Sequence, residues 1–413
     1  MKENDSNGVI KLNRNIPLWL ITFYGIGTIL GAGIYVLIAE ISSQSGNFTP
    51  FSFLISAVIV SFSAFSYSEL SSRYPRSAGE AAYVQQAFRA KWLSSVVGWA
   101  IVIIGIVSSA TIAKGFVGYF QVLFNVPDWL CISMLVFVLC LISIWGVSLS
   151  LKAAAVMTVV EIIGIVLVIY FCGNNLSAIK TNVTDFIPSS DIKTWGNIFV
   201  GAFIAFYAYV GFEDIVNMAE EVKNPRKNLP IAIIIALVVT TVLYIIVSLI
   251  TVTSLPINIL SNTRSPFTTL IELNSNFPVS IITVISIMAI VNGALIQIIM
   301  GSRVLYGMAS QKISLKIFGH INKHTKTPDY ATVFVGIVVL VLALWFPIVT
   351  LAKASSLIIL LVFMLINLSL FIIKGHKKEE EQSYIRLPII IPVLGFGLCL
   401  FLLMAQLVNK FTG

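Results

Sequence analysis

The chain has 413 residues, of which 58% are hydrophobic and 11% charged. Soluble domains carry about 25% charged residues, so the composition excludes a soluble globular protein and predicts an all-α polytopic membrane protein. A formal net charge of +8 could suit a nucleic-acid partner, but the basic residues are sorted between alternate loops, as set out below, and nucleic acid is not expected.

The polar segment Met1 to Ile16 leads into a full-length apolar span without a small-residue cleavage site, so no removable signal peptide is expected. Apolar runs long enough to cross a bilayer core of about 30 Å lie near 17–39, 50–72, 92–121, 130–148, 153–173, 195–218, 229–254, 277–303, 331–349, 351–373 and 387–408, which makes eleven spans. The four cysteines (Cys131, Cys140, Cys172 and Cys399) fall in or beside these runs without metal or C-x-x-C spacing. They read as small buried hydrophobes, and no cofactor is expected.

Lys and Arg are divided unequally between the two sides. Twenty fall in one set of loops, from Lys2, Lys11 and Arg14 through Arg73, Arg76, Arg89 and Lys91 to Lys374, Lys377, Lys378 and Arg386. Five fall in the other set, and Lys114 lies inside span 3. The bias predicts a cytoplasmic N-terminus and, with an odd number of spans, an extracytoplasmic C-terminus in the cell membrane. Lipid is the expected contact for the remaining charge.

Span 1 contains Gly25–Gly33, reading G-I-G-T-I-L-G-A-G. Four glycines weaken a helix, each by roughly 1 kcal/mol against Ala. Two readings stand: a broken helix whose freed backbone groups bind a ligand, or close packing through Gly27-x-x-x-Gly31. Span 6 runs from Phe199 to Asp214 as F-V-G-A-F-I-A-F-Y-A-Y-V-G-F-E-D, with Gly211 followed by two acids at membrane depth. Spans 1 and 6 are an odd number apart and so cross in opposite directions. Interrupted helices at matching places predict an inverted-repeat core with broken helices 1 and 6 and a midplane site. Two half-helix N-termini facing that site would suit a carboxylate. The expected organisation is a cytoplasmic N-terminus over 1–16, a first five-helix repeat over 17–173 and an extracellular loop over 174–194. A second repeat over 195–374 and a cytoplasmic loop with helix 11 over 375–413 follow.

Three motifs carry a family resemblance: Gly27-Thr-Ile-Leu-Gly31-Ala-Gly33-Ile34, Tyr74-Pro75-Arg-Ser-Ala-Gly79-Glu80-Ala-Ala-Tyr83, and Tyr207-Ala-Tyr-Val-Gly211-Phe-Glu213 running on to Glu220-Glu221-Val-Lys-Asn224-Pro225-Arg-Lys-Asn-Leu-Pro230. Ser302-Arg303-Val-Leu-Tyr306-Gly-Met-Ala309 is a weaker fourth. Together they resemble the amino acid permeases of the amino acid–polyamine–organocation superfamily. Relatives often have a twelfth span, which this chain lacks in the reading above.

The resemblance implies a secondary active transporter of an amino acid, working by alternating access, as a monomer or weak homo-oligomer. It implies that Gly31, Ala32 and Gly33 offer N–H groups to a substrate carboxylate. Ile29 and Val210 would offer carbonyls to its amino group, and Tyr207 would act as a gating aromatic beside Gly211. Some relatives have Ser in place of Ala32, so a hydroxyl contact is missing. Tyr207 also reads as plain bundle packing. Gln297 falls either on the side-chain pocket or, with Asn292, among interhelical hydrogen bonds. The loop from Ser254 to Pro278 is expected to pack as a lid. Lys114 reads first as snorkelling to the surface, and Glu69 as interfacial.

Glu161 lies near the middle of span 5, where a carboxylate is costly unless paired or protonated. Some relatives that couple to protons carry a lysine at the matching place, nine residues after a basic residue that here would be Lys152. Glu161 is then expected to take up and release a proton, with Glu213 as a second protonation or gating position. A cation site and a neutral structural Glu are the alternatives. Sodium coupling is less favoured, because span 8 offers Asn292-Gly293 rather than a Ser/Thr pair. An exchanger, and a subunit serving mainly assembly through an outer-loop cysteine near Cys131, are the competing functions. A membrane enzyme is not favoured, since His320, His324 and His376 all lie in loops.

Overall fold

A computed structural model describes residues 14–76, 79–145, 151–177, 183–310, 314–322, 325, 327–375 and 385–412. Each expected span has an apolar helix. They are α1 (Leu18–Ser45), α2 (Thr49–Arg73), α3 (Lys91–Leu123), α4 (Asp128–Ile144), α5 (Leu151–Cys172) and α6 (Ile192–Ala208). They continue as α7 (Pro225–Ser254), α8 (Val279–Ser310), α9 (Asp329–Trp345), α10 (Ile348–Gly375) and α11 (Ile390–Thr412). Among the described residues, seven helical stretches are long and apolar enough to cross a membrane, the first holding both α1 and α2. The helices α4, α6 and α9 are shorter apolar ones. Among the described residues there is no strand, only an isolated bridge from Ile16 to Val222.

Helices five apart in the chain pair with one another: α1 with α6, α2 with α7, α3 with α8, and α4 with α9. Secondary contacts also come in matched sets. The contact of α1 with α7 mirrors that of α2 with α6, and α3 with α10 mirrors α5 with α8. This is the pattern that a twofold inverted repeat requires. The closest-knit pair, α3 and α8, has a simple cause. A Cβ on Gly105 would stand 3.1 Å from the Gln297 carbonyl oxygen and 3.4 Å from Gly301 Cα, so two glycines let the backbones approach.

Polar side chains tie the other helices, as expected where lipid tails give no hydrophobic driving force. Ser52 and Ser56 of α2 donate to the Ile198 and Ala202 carbonyls of α6 at 2.9 and 2.6 Å. Asn367 of α10 donates to Ser63 Oγ at 2.9 Å and accepts from Ser66 Oγ at 2.6 Å. Trp92, Trp129, Trp145 and Trp345 stand exposed at helix ends, where an aromatic belt meets the headgroup region.

Glu69, near the end of α2, is fully buried. One oxygen pairs with Arg73 at 2.6 Å, and the other with Lys374 at 2.7 Å and the Leu387 N–H at 2.9 Å. The cluster staples α2 to the end of α10 and to the chain entering α11. Removing one partner of a buried charge cluster costs about 3–5 kcal/mol. Glu69→Ala should lose that much in thermal unfolding of the purified protein; a melting temperature equal to wild type would show that the staple bears no strain.

The loop after α7 folds back onto the bundle, as expected of a lid. The Phe267 ring packs on Tyr35 with centroids 4.6 Å apart, and Thr268 bonds Thr283 at 3.0 Å.

Candidate functional site

The break in α6 falls where the sequence placed it. After Ala208 the chain makes turns, with Val210 N–H on the Tyr207 carbonyl at 3.0 Å and Asp214 N–H on the Gly211 carbonyl at 3.2 Å. Gly211 has φ +130°, a conformation open to glycine and rarely to other residues. A Cβ there would stand 2.8 Å from the Thr28 carbonyl carbon. The helix that resumes, Asp214–Asn217, is a single turn, too short to aim a macrodipole.

Helix α1, by contrast, is continuous from Leu18 to Ser45. This corrects the expectation of a break in span 1. The physical reason is that its glycines face neighbours. A Cβ on Gly27 would collide with Thr158 of α5, and one on Gly31 would stand 2.9 Å from the Ala289 carbonyl of α8. One on Gly33 would stand 2.6 Å from Ala208 Cα and Cβ of α6. The helix propensity lost at each glycine is offset by contacts that a side chain would prevent.

The carbonyls expected to face a ligand are partly engaged. Tyr244 Oη of α7 lies 2.7 Å from the Ile29 carbonyl and 2.9 Å from that of Ala208; its one proton serves one at a time. Thr28 Oγ1 lies 2.9 Å from the Gly25 carbonyl of its own helix and 3.0 Å from that of Gly211, again with one proton between them. Tyr207 Oη donates to the Ser108 carbonyl of α3 at 3.1 Å. Ile29, Gly31, Gly33, Tyr207, Val210 and Gly211 are all buried, and the contacts of Gly33 with Ala208 and of Thr28 with Gly211 join the two segments. The side chain of Ala32 lies outside the described residues. Sequence reading missed Tyr244 and Thr28; the signal for Tyr244 was the single aromatic residue of α7.

Gln297 does not stand free. Its Nε2 donates to Asp214 Oδ2 at 3.3 Å. Glu213 Oε2 accepts from Gly211 N–H at 2.8 Å. A third acid, Glu80, is buried on the short helix Gly79–Phe88, with Oε1 unpartnered, as are the hydroxyls of Tyr67 and Tyr83. Burial, reinforced by the charge of Glu213 and opposed by a backbone hydrogen bond, pushes Glu80 up from 4.5 to about 8. Between those values the folded chain holds a proton that the unfolded chain has released. Stability therefore falls as pH rises from about 4.5 to about 8 and levels off above that. Glu80→Gln should flatten this slope, by up to roughly 1.4 kcal/mol per pH unit, in melting curves taken across that window. A variant with the wild-type slope would show that Glu80 is ionised in the fold.

Glu161 is fully buried between α5, α8 and α1. Its Oε1 accepts from Asn292 Nδ2 at 2.9 Å, and Tyr35 Oη donates to its main-chain carbonyl at 2.6 Å. Among the described residues, Glu161 Oε2 and Asn292 Oδ1 both lack a partner. Its neighbours reach the glycine stretch: Thr158 Oγ1 lies 3.1 Å from the Phe23 carbonyl and 2.9 Å from that of Ala154, and Gly293 lies against Gly31. Cys131 is buried, its thiol 3.7 Å from the Val126 carbonyl, which gives no exposed thiol for a partner disulfide. His320 pairs with Asp329 at 2.8 Å, while His324 and His376 lie outside the described residues.

Comparison with known proteins gives the chain's relatives. The chain is 28% identical over 392 residues to cationic amino acid transporter 2, vacuolar, of Arabidopsis thaliana, covering 90% of this chain and 61% of the relative. It is 25% identical over 427 residues to the branched-chain amino acid permease BcaP of Bacillus subtilis, covering 97% and 89%. It is 27% identical over 418 residues to the methylthioribose transporter of the same organism, covering 94% and 88%. The chain spans about three fifths of the length of the plant transporters it matches. The amino acid permease family model matches residues 16–412, nearly the whole helical bundle, and the chain belongs to that family.

Proposed function

We propose that this protein is a secondary active transporter that moves an amino acid across the cell membrane by alternating access, coupled to protons through Glu161. Relatives named as amino acid permeases and transporters support the substrate class. The observation that carries the coupling is the Glu161–Asn292 pair: a carboxyl in a buried helix junction with one hydrogen bond and, among the described residues, one oxygen without a partner. A proton on Oε2 removes a charge that the bundle solvates poorly and turns an orphan acceptor into a donor. The same junction packs on Gly27 and Gly31 of α1, so a change there bears on the segment that must move.

In this reading the contacts of Gly33 with Ala208, Thr28 with Gly211 and Tyr244 with Ile29 form a closed gate. Substrate entry parts α1 from α6. Gly31, Ala32 and Gly33, once α1 unwinds locally and releases their intrahelical bonds, give N–H groups to the carboxylate, while the Ile29 and Val210 carbonyls take the ammonium group. Both acids at the α6 break are turned onto Gly211 and Gln297, which favours a neutral substrate. The basic bias of the loops orients the N-terminus to the cytoplasm and the C-terminus outside, and reporter fusions should report opposite sides.

A melting-temperature screen of the purified chain against all common amino acids, with and without sodium, tests the substrate class. A ligand at a hundred times its Kd stabilises by about 2.7 kcal/mol. Neutral amino acids should raise the melting temperature without sodium. If no amino acid does so, the transport reading fails.

A further inference from the structure

At the end of the bundle opposite the basic loops lies a cavity of about 260 Å³ between α1, α3, α4, the lid loop and the start of α10. Four charged residues line it: Glu40, Lys114, Asp128 and Arg264. Two of them satisfy each other, since Arg264 Nη1 meets Asp128 Oδ2 at 3.0 Å, and Gln121 completes Asp128 at 2.8 Å. The other two do not. Neither Glu40 nor Lys114 is within 4.0 Å of an opposite charge among the described residues, nor do they pair with each other. They nevertheless face the same cavity, from α1 and α3.

An unpaired carboxylate and an unpaired ammonium across one small cavity have a specific complement. The ligand must bear a cation and an anion a few ångströms apart, which is the head of an α-amino acid. Low-dielectric walls strengthen such an arrangement by focusing the field of both charges. The apolar walls supplied by Val36, Ile132 and Ile348 would take a hydrocarbon side chain. Lys114 lies six residues beyond Ser108 on α3, and Glu40 seven beyond Gly33 on α1. At 1.5 Å per residue the cavity sits about 10 Å from the level of the closed gate. It is therefore a separate place from the central site. The Lys114 side chain borders this partly open cavity.

We infer that the cavity is a vestibule site that captures the zwitterionic head of an amino acid, Lys114 holding the carboxylate and Glu40 the ammonium group, before the gate opens. The inference rests on the amino acid reading above but assigns a second site. Because the site reads the head group, it accepts neutral amino acids of differing side chain.

Equilibrium binding of tritiated L-leucine to the purified full chain tests it. Lys114→Met and Glu40→Gln should each bind one equivalent fewer than wild type, and the double exchange Glu40→Lys with Lys114→Glu should regain it. Leucinamide and isocaproate, which lack one charge each, should not displace that equivalent. Wild-type stoichiometry in either single variant overturns the site, as does a wild-type chain that binds no leucine. If another amino acid still raises the melting temperature in that case, the vestibule fails and the transport reading stands. If none does, both fail.

Discussion

Glu161→Gln should leave substrate binding and exchange intact and abolish accumulation driven by a pH gradient. Gln keeps the acceptor for Asn292 Nδ2 and puts an N–H donor where Oε2 has no partner, so it mimics the protonated acid. It cannot release the proton. A difference of one pH unit is worth about 1.4 kcal/mol, hence about tenfold accumulation for one proton per substrate. Wild-type vesicles should approach that ratio, and Glu161→Gln vesicles should stop near equality. Glu161→Ala is a different test. It leaves the Asn292 amide unpaired in a buried place, at about 1–3 kcal/mol, and should lose stability as well. Full accumulation by Glu161→Gln would remove Glu161 from the coupling step.

Gly33→Val should abolish uptake and lower the melting temperature together. A Cβ at Gly33 would stand 2.6 Å from Ala208 Cα and 2.7 Å from its carbonyl oxygen. Backbone atoms cannot turn aside as a flexible side chain can, so α1 must part from α6. Overpacking of this kind costs about 1–3 kcal/mol. It would also pull the Thr28 hydroxyl from Gly211 and spread the two carbonyls that Tyr244 spans. Gly307→Ala is the control: nothing lies within 4 Å of a Cβ there, and removing a helical glycine should stabilise slightly. Transport and melting like wild type in Gly33→Val would mean that the α1–α6 contact is not the gate.

The span count was legible because length and hydropathy decide what crosses a bilayer, and each of the eleven apolar runs has its helix. The break at Gly211 was legible because glycine before two acids is hard to keep helical in lipid. The same logic misled at Gly25–Gly33. Sequence shows how weak a helix is, but not whether a neighbouring backbone comes close enough to offset the weakness, as Ala208 and Gly293 do. Asn292 and Gln297 were recognisable as polar groups in an apolar helix. Their partners, Glu161 and Asp214, lie 131 and 83 residues away, a distance that only folding closes. The charge of Lys114 inside span 3 was visible, but the cavity it borders is made by five separate segments and leaves no local pattern.

Proton movement itself tests the coupling claim most directly. Wild-type protein reconstituted in sodium-free vesicles carrying an internal pH dye should acidify the lumen when the amino acid identified by the melting screen is added outside, at a rate that follows substrate concentration. Glu161→Gln vesicles should stay at constant internal pH under the same addition. Uptake by the wild type with no acidification, or uptake that appears only when sodium is supplied, would contradict the proton-coupled account.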